Sequence, residues 1–401
     1  MSTWYQRSSW KVLAATWIPA LKKRFAVEAH FHGALPRPPF VLMADHADEF
    51  DPYVIGSFFA EPIRYMANIE GVAPWKAVFA EAVGAYGRRK GRADLGALRR
   101  TIDLVAGGDA VGLFPEGDRS WDGRSEPVRP GAARLVKRLG VPLILVRQRG
   151  NYLALPRWAT SSRRGPWSLD FRVFGADEID RLSPPLLDAI IGASLERDDV
   201  REAAREGRRF AAPGGAAEGV GRLLWRCPVC GKADGIEGSG DEIACLRCGA
   251  LWRLNANLGL SPANHSSALH AAPLADLVDW HEWQVESLPE LFGGDAARGT
   301  ALASRNVRLS RREGRRLGSL GRGLLAYRAG EIVFEGDGGR AVFEPEAVSG
   351  FVDNFNAFSE FSHRGERWRV EFGGGNAAKW IFALRRIHAA RSADAQRGEA
   401  A

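Results

Sequence analysis

The chain is predicted to fold as an α/β domain with a mainly parallel sheet, then a small four-cysteine ribbon, then an α+β segment of antiparallel strands closed by a helix. Three observations carry this. Short apolar runs alternate with helix-like stretches over residues 36–206. Two Cys-x2-Cys pairs stand fourteen residues apart. Short alternating runs with glycine-rich turns fill most of residues 300–390.

At 401 residues the chain is too long for one ordinary core, and two or three domains are expected. Hydrophobic residues make up 45% and charged residues 26%, as in globular proteins. The net charge of +7 favours anionic partners: phosphates, phospholipid headgroups or nucleic acid. An arginine-rich composition with no such partner is the plain alternative. No run of eighteen apolar residues occurs, so no spanning helix is predicted. All four cysteines lie between 227 and 248, which leaves none for a scattered disulfide framework and points to a reducing compartment, the cytoplasm.

Residues 1–35 form a basic, tryptophan-rich lead. Trp4, Tyr5, Trp10, Trp17 and Ile18 mix with Arg7, Lys11, Lys22, Lys23 and Arg24. Aromatics beside lysines suit a segment lying among lipid headgroups. A first helix packed on its own domain fits equally well.

In residues 36–206 the predicted strands are Phe40–Ala44, Ala82–Tyr86, Ala110–Phe114, Val141–Arg147 and Leu169–Phe174. A helix over 94–106 has Asp94 as its cap and stops at Gly107; another over 131–139 ends at Gly140. Polar chemistry in such sheets gathers where strands run out into helix starts.

One such place is ADHADEFDP, residues 44–52. Pro52 suits a first helical turn, and Asp51 suits the cap before it. Positions five apart diverge by about 140° on a straight helix, so His46 and Asp51 meet only if the chain bends between them. A carboxylate against the imidazole would set its tautomer and raise its basicity, making His46 a candidate general base. A capping Asp51 beside a surface His46 is the bland alternative. The second place is LFPEGDRS, residues 113–120. Gly117 permits a turn from which Glu116 and Arg119 project, and an arginine there suits a phosphate.

These blocks resemble the glycerophosphate and lysophosphatidate acyltransferases. The family's His-x4-Asp block is matched by His46 and Asp51, and its Phe-Pro-Glu-Gly-x-Arg block by Phe114, Pro115, Glu116, Gly117 and Arg119. GAYGRRKG at 84–91 looks like the block that closes on an arginine, with Arg89 the choice and Arg88 or Lys90 the alternatives. VPLILV at 141–146 loosely matches a valine-proline strand. Departures are Asp45 where the family has Asn, Asp48 where it has Ser, and Asp118 where it has Thr; three added acids crowd an anion site. The resemblance covers about residues 30–180. It implies transfer of a fatty acyl group from acyl-CoA or acyl carrier protein to a lysophospholipid hydroxyl, with His46 and Asp51 as the base pair. Arg89, Glu116, Gly117 and Arg119 would lie at the acceptor, at the inner face of a membrane. The added acids motivate the alternative, a catalytically inactive scaffold that recruits protein partners or nucleic acid.

The ribbon spans residues 220–256. Cys227, Cys230, Cys245 and Cys248, with Gly231 and Gly249 behind each pair, form a tetrahedral all-sulfur set that zinc fills in a structural role. Nucleic acid is not the expected partner; Trp225 and Trp252 are expected to pack against the knuckles. Residues 257–299 link onward, and LADLVDWHEWQVESLPELF within them reads as one helix. Over 300–390, strands followed by the helical NAAKWIFALRRI resemble a pleckstrin-homology or GRAM-like barrel with no assigned ligand. His363 and His388 read as surface residues and His281 as packing.

Overall fold

Near-continuous apolar strands organise the first part of the chain, because a strand buried on both faces has no use for alternation. In the computed structural model the described residues are 4–67, 74–87, 94–270, 274–288, 300–314, 316–354, 358–373 and 375–399. They fall into two units: Met1–Gly214 with Ala256–Leu258, and Gly215–Asn255 with Gly259–Ala401.

The first unit begins with α1 (Trp4–Arg24), β1 (Val27–His32), β2 (Val41–Ala44), α2 (Asp51–Gly56), β3 (Arg64–Ala67), α3 (Pro74–Ala82) and β4 (Tyr86–Gly87). It continues through α4 (Leu95–Ala106), β5 (Val111–Leu113), α5 (Ala132–Leu139), β6 (Leu143–Arg149), α6 (Asn151–Ala154) and β7 (Trp167–Phe174). It closes with α7 (Ala176–Arg181), α8 (Pro184–Leu195) and α9 (Asp199–Arg205). The seven strands lie in the order β1-β7-β6-β2-β5-β3-β4. Every neighbouring pair is parallel except β6 with β7, so the predicted mainly parallel sheet is a mixed one. The whole of β2 is buried. Val41, Met43, Val111, Leu113, Leu143 and Leu145 join Leu104, Val136, Leu187 and Ile191 from the helices in one apolar core.

Local signals behaved as their chemistry dictates. Asp94 accepts the Ala97 amide at 3.0 Å and starts α4. Gly140, left-handed at φ 62°, ends α5. Three readings need correction. The apolar run before Tyr86 belongs to α3, and only Tyr86–Gly87 pair as a strand. Strands β1 and β3, four to six residues long, were not anticipated. Asp51 is inside α2 rather than its cap, because its carboxylate turns back onto the preceding loop.

Helix α1 packs one face on its own unit. Trp10, Ile18 and Leu21 are buried, and Trp17 meets the rings of Phe50 and Tyr53. Trp4, Tyr5 and Val12 remain exposed. No helix among the described residues is long and apolar enough to cross a membrane.

The second unit holds β8 (Ile236–Ser239), β9 (Glu242–Cys245), β10 (Leu251–Leu254) and β11 (Leu260–Pro262), an antiparallel sheet ordered β11-β10-β9-β8. Helices α10 (His265–His270) and α11 (Leu277–Glu286) follow. The end of the predicted linker helix, from Pro289, lies outside the described residues. A separate antiparallel sheet comprises β12 (Thr300–Glu313), β13 (Arg316–Arg328), β14 (Glu331–Gly336), β15 (Gly339–Phe343), β16 (Val348–Asn354), β17 (Phe358–His363) and β18 (Glu366–Glu371). Its order is β15-β14-β13-β12-β18-β17-β16, and α12 (Ala378–Glu399) follows it. Within this unit Asn376 donates to the Gly221 carbonyl at 2.8 Å, and the buried Lys379 donates to Asp234 at 2.5 Å and to the Ala303 carbonyl. Trp225 and Trp252 are buried, as expected of packing residues.

Candidate active site

The site begins where β2 ends and the chain turns into α2. Asp51 is fully buried, and its Oδ2 accepts the amides of Ala47 at 2.8 Å and Asp48 at 3.1 Å. The same oxygen lies 2.7 Å from His46 Nδ1. The bend needed for residues five apart to meet is therefore built by the carboxylate itself. With an acceptor at Nδ1, the neutral ring carries its hydrogen there and leaves Nε2 its lone pair. The His46 side chain is 20% exposed, so the site keeps an opening. One ring face lies on Phe114, with centroids 4.0 Å apart and planes 14° from parallel. Phe114 in turn stacks on Tyr65, which fits over Gly112 because a side chain there would collide with the phenol ring. Burial lowers the His46 pKa below its ordinary value, and the bond to Asp51 opposes that.

The second turn is stapled to the first. Glu116 Oε1 accepts the His46 amide at 2.9 Å and Oε2 accepts the Glu126 amide at 2.8 Å. Ser120 N donates to the His46 carbonyl at 2.9 Å. Gly117 has φ 79°, a conformation other residues adopt at a cost. Burial pushes the Glu116 carboxyl up to about 8 against the pull of Arg197. Arg119 is half-buried and close enough to His46 to help hold its pKa down. His46, Asp51, Glu116, Gly117 and Arg119 thus converge. Arg88, Arg89 and Lys90 lie outside the described residues.

The added acids are accommodated in three ways. Asp45 is fully buried, 3.0 Å from Arg197 Nε, with its Oδ1 accepting the Gln148 amide at 2.7 Å. Burial raises its pKa to about 7, with Arg197 opposing. Asp118 lies 3.4 Å from Arg157, which also donates to the Arg119 carbonyl at 2.9 Å and stacks 3.6 Å over the Trp121 ring. Asp48 accepts the Phe50 amide at 2.5 Å, and burial raises its pKa well above the carboxylate range. Arg197, Arg157 and Asn151 were missed from the sequence. They come from loops and a short helix roughly 40 to 150 residues away, in stretches without a motif, so no local signal marks them.

In the second unit Cys227, Cys230, Cys245 and Cys248 bring their sulfurs within 4.8 Å of one another. Cys227 and Cys248 are 3.8 Å apart, as are Cys230 and Cys245. Four sulfurs about 2.3 Å from a central ion have edges near about 3.8 Å, so the donor set fits a tetrahedral metal. His281 is buried against Trp225 and Phe382, as read. His363 is not a surface residue: it is buried and 2.6 Å from Glu344, because the strand alternation turns it inward. His388 is half-buried against the Pro345 carbonyl at 2.9 Å.

Part of the first unit is similar to known proteins. Residues 26–147 match the family model described as Acyltransferase. The chloroplastic 1-acyl-sn-glycerol-3-phosphate acyltransferase BAT2 of Brassica napus is 28% identical over 131 residues, covering 29% of this chain and 35% of that protein. The chain thus spans about a third of the length of the curated relative it matches. Among solved structures, the 1-acyl-sn-glycerophosphate acyltransferase PlsC of Thermotoga maritima has a TM-score of 0.40 at 17% identity, over 50% of this chain and 81% of that one.

Proposed function

We propose that the first unit transfers a fatty acyl group from an acyl thioester, acyl-CoA or acyl carrier protein, to a hydroxyl of a lysophospholipid such as lysophosphatidate. The observation that carries this reading is the 2.7 Å contact between His46 and Asp51 inside a segment that matches the acyltransferase family. His46 Nε2 takes the proton of the acceptor hydroxyl. The freed oxygen attacks the thioester carbonyl carbon, the carbon–sulfur bond breaks, and the proton passes to the departing sulfur. General base catalysis of this kind contributes about 10²–10⁴-fold. Asp51 holds the tautomer and balances the charge that forms on the ring. Arg119, with Arg89, grips the acceptor phosphate. Glu116 and Gly117 order the turn that carries Arg119, since both Glu116 oxygens are already occupied by amides.

The acceptor lives in a bilayer, and the unit needs a face toward it. We assign that face to α1, at the cytoplasmic surface of the membrane: Trp4 is 80% exposed, with Tyr5, Val12, Lys11, Lys23 and Arg24 also exposed along the same helix. The four cysteines hold a structural Zn2+, for which their spacing and all-sulfur chemistry fit. Seven antiparallel strands followed by a helix support a pleckstrin-homology or GRAM-like reading of the last segment, without a ligand.

The test incubates purified protein with a radiolabelled acyl thioester and a panel of lysophospholipids, beside His46→Ala. Product from the wild type, reduced at least 100-fold in the variant, supports the assignment. Equal product from both ends the catalytic assignment of His46, and none from either favours the inactive scaffold.

A further inference from the structure

We propose that Arg197 and Asn151 are positioning residues for the proposed base pair, acting through the Asp51 carboxylate and the His46 carbonyl. This rests on the acyl-transfer reading of the same site. Arg197 is fully buried in the short connection between α8 and α9. Its Nη1 donates to Asn151 Oδ1 at 2.9 Å, and Asn151 Nδ2 donates to Asp51 Oδ1 at 3.1 Å. The other Asp51 oxygen is the one that faces His46. Arg197 Nη2 donates to the His46 carbonyl at 3.2 Å, and its Nε lies 3.0 Å from Asp45, the residue just before His46. One guanidinium therefore grips the loop at residues 45 and 46 and, through one amide side chain, the back of Asp51.

Both members of the relay are themselves held. The Arg197 amide donates to Ser125 Oγ at 3.1 Å, and the Ser125 amide donates to the Arg197 carbonyl at the same distance. Asp199, two residues on, accepts the Gly150 amide at 2.6 Å and the Leu153 amide at 3.2 Å, which pins α6 and with it Asn151. Burying a guanidinium costs several kcal/mol unless partners surround it. Burial disfavours the charge on Arg197, yet Asp45, Glu116, Asp199 and Asp51 together hold its pKa above the ordinary value. Asp45 is thus matched to Arg197, and the acid before the histidine becomes part of the clamp.

The expected consequence concerns the ring. Asp51 Oδ2 already receives two backbone amides, but Oδ1 receives the Asn151 amide. Without that bond the carboxylate turns and the contact to Nδ1 weakens. Burial already lowers the His46 pKa, with Asp51 as the opposing influence. Weakening that influence sends the value lower still and makes a poorer base. The other charged groups acting on the ring, Arg119 and Asp118, and the Glu116 carboxylate on its amide, are unchanged in the variants below.

The experiment compares wild type, Asn151→Leu, Asn151→Ser and the paired swap Asp45→Asn with Arg197→Gln, which replaces both partners of the 3.0 Å contact together. Two readouts are used: acyl transfer with kcat and KM separated, and NMR titration of the His46 ring. We expect kcat to fall about 10- to 100-fold with both KM values kept, because the lost contact matters to the proton transfer rather than to binding. The His46 midpoint is expected to fall by about half a pH unit or more. Folded variants whose His46 titrates as in the wild type overturn the proposal, whatever the activity. Asn151→Ser, the smallest change, answers if the paired swap does not fold. A wild type without acyl transfer removes the catalytic reading, and the titration still tests the positioning.

Discussion

Two buried glutamates, one in each unit, show how differently the halves of this protein treat charge. Glu116 and Glu360 are 4% and 6% exposed. Glu360, on β17, is ringed by cations: Arg369 at 2.8 Å, with Arg312 and Arg367 at 3.1 Å. Burial alone would raise its pKa, but Arg369 and Arg312 hold it below the ordinary value. Glu116 has two backbone amides and shares Arg197 with Asp45, Asp51 and Asp199, and its pKa climbs to about 8. The second unit answers its anions with cations: arginines for Glu360, Lys379 for Asp234, and in our reading a metal for four thiolates. The first unit concentrates buried acids around Arg197, with Arg208 also reaching Asp199. In our reading this cluster positions the proposed base pair, and stability is lost for it.

The largest expected break in that contrast is metal removal. With the proposed zinc in place, a strong chelator and a thiol reagent are expected to unfold the segment around the four cysteines, since structural zinc contributes about 10–16 kcal/mol in small domains. Amide exchange should then lose protection across β8, β9 and β10 while β2, β5 and β6 keep theirs. Unchanged protection in zinc-free protein would mean that the ribbon stands without its ion.

Next is Glu360→Gln, which leaves three arginines facing a neutral amide. Breaking a buried pair by removing one partner costs on the order of 3 kcal/mol. Calorimetry should show a lower transition for the second unit, and the proposed acyl transfer should be unchanged.

The pH dependence should differ in sign. Asp45 and Glu116 keep their protons in the folded chain up to about 7 and about 8, against about 4 when unfolded. The stability they contribute is complete below about pH 4 and is lost as pH rises through those folded values, at about 1.4 kcal/mol per pH unit for each group. Glu360 runs the other way: its contribution is present above about pH 4.3 and fades as pH falls through its depressed pKa. Unit-resolved amide exchange across this range checks both signs, and parallel trends would undo the comparison.

The smallest effect is Glu116→Gln. Glutamine keeps one acceptor oxygen but turns an NH2 toward the other amide donor, so at pH 6 we expect a loss of about 1–2 kcal/mol. A cost as large as that of Glu360→Gln would show that the two glutamates do the same work.

What was legible in the sequence was what short stretches determine for themselves. Asp94 and Gly140 bound their helices because a cap and a left-handed turn need only their own neighbours. The five-residue spacing of His46 and Asp51 closes within one turn, and each cysteine pair within one knuckle. Strands β1 and β3 were not legible, because so few residues carry no period and their partners decide them. Asp51 looked like a cap because the sequence does not say which way a carboxylate turns. Nor did anything near residues 151 or 197 mark the side chains that meet the His46 loop, since an arginine is recognised by what surrounds it after folding. The chain alone determined which groups are candidates for the chemistry and which local turns present them. Tertiary structure alone decided which distant charges meet them, because burial and pairing belong to no single segment.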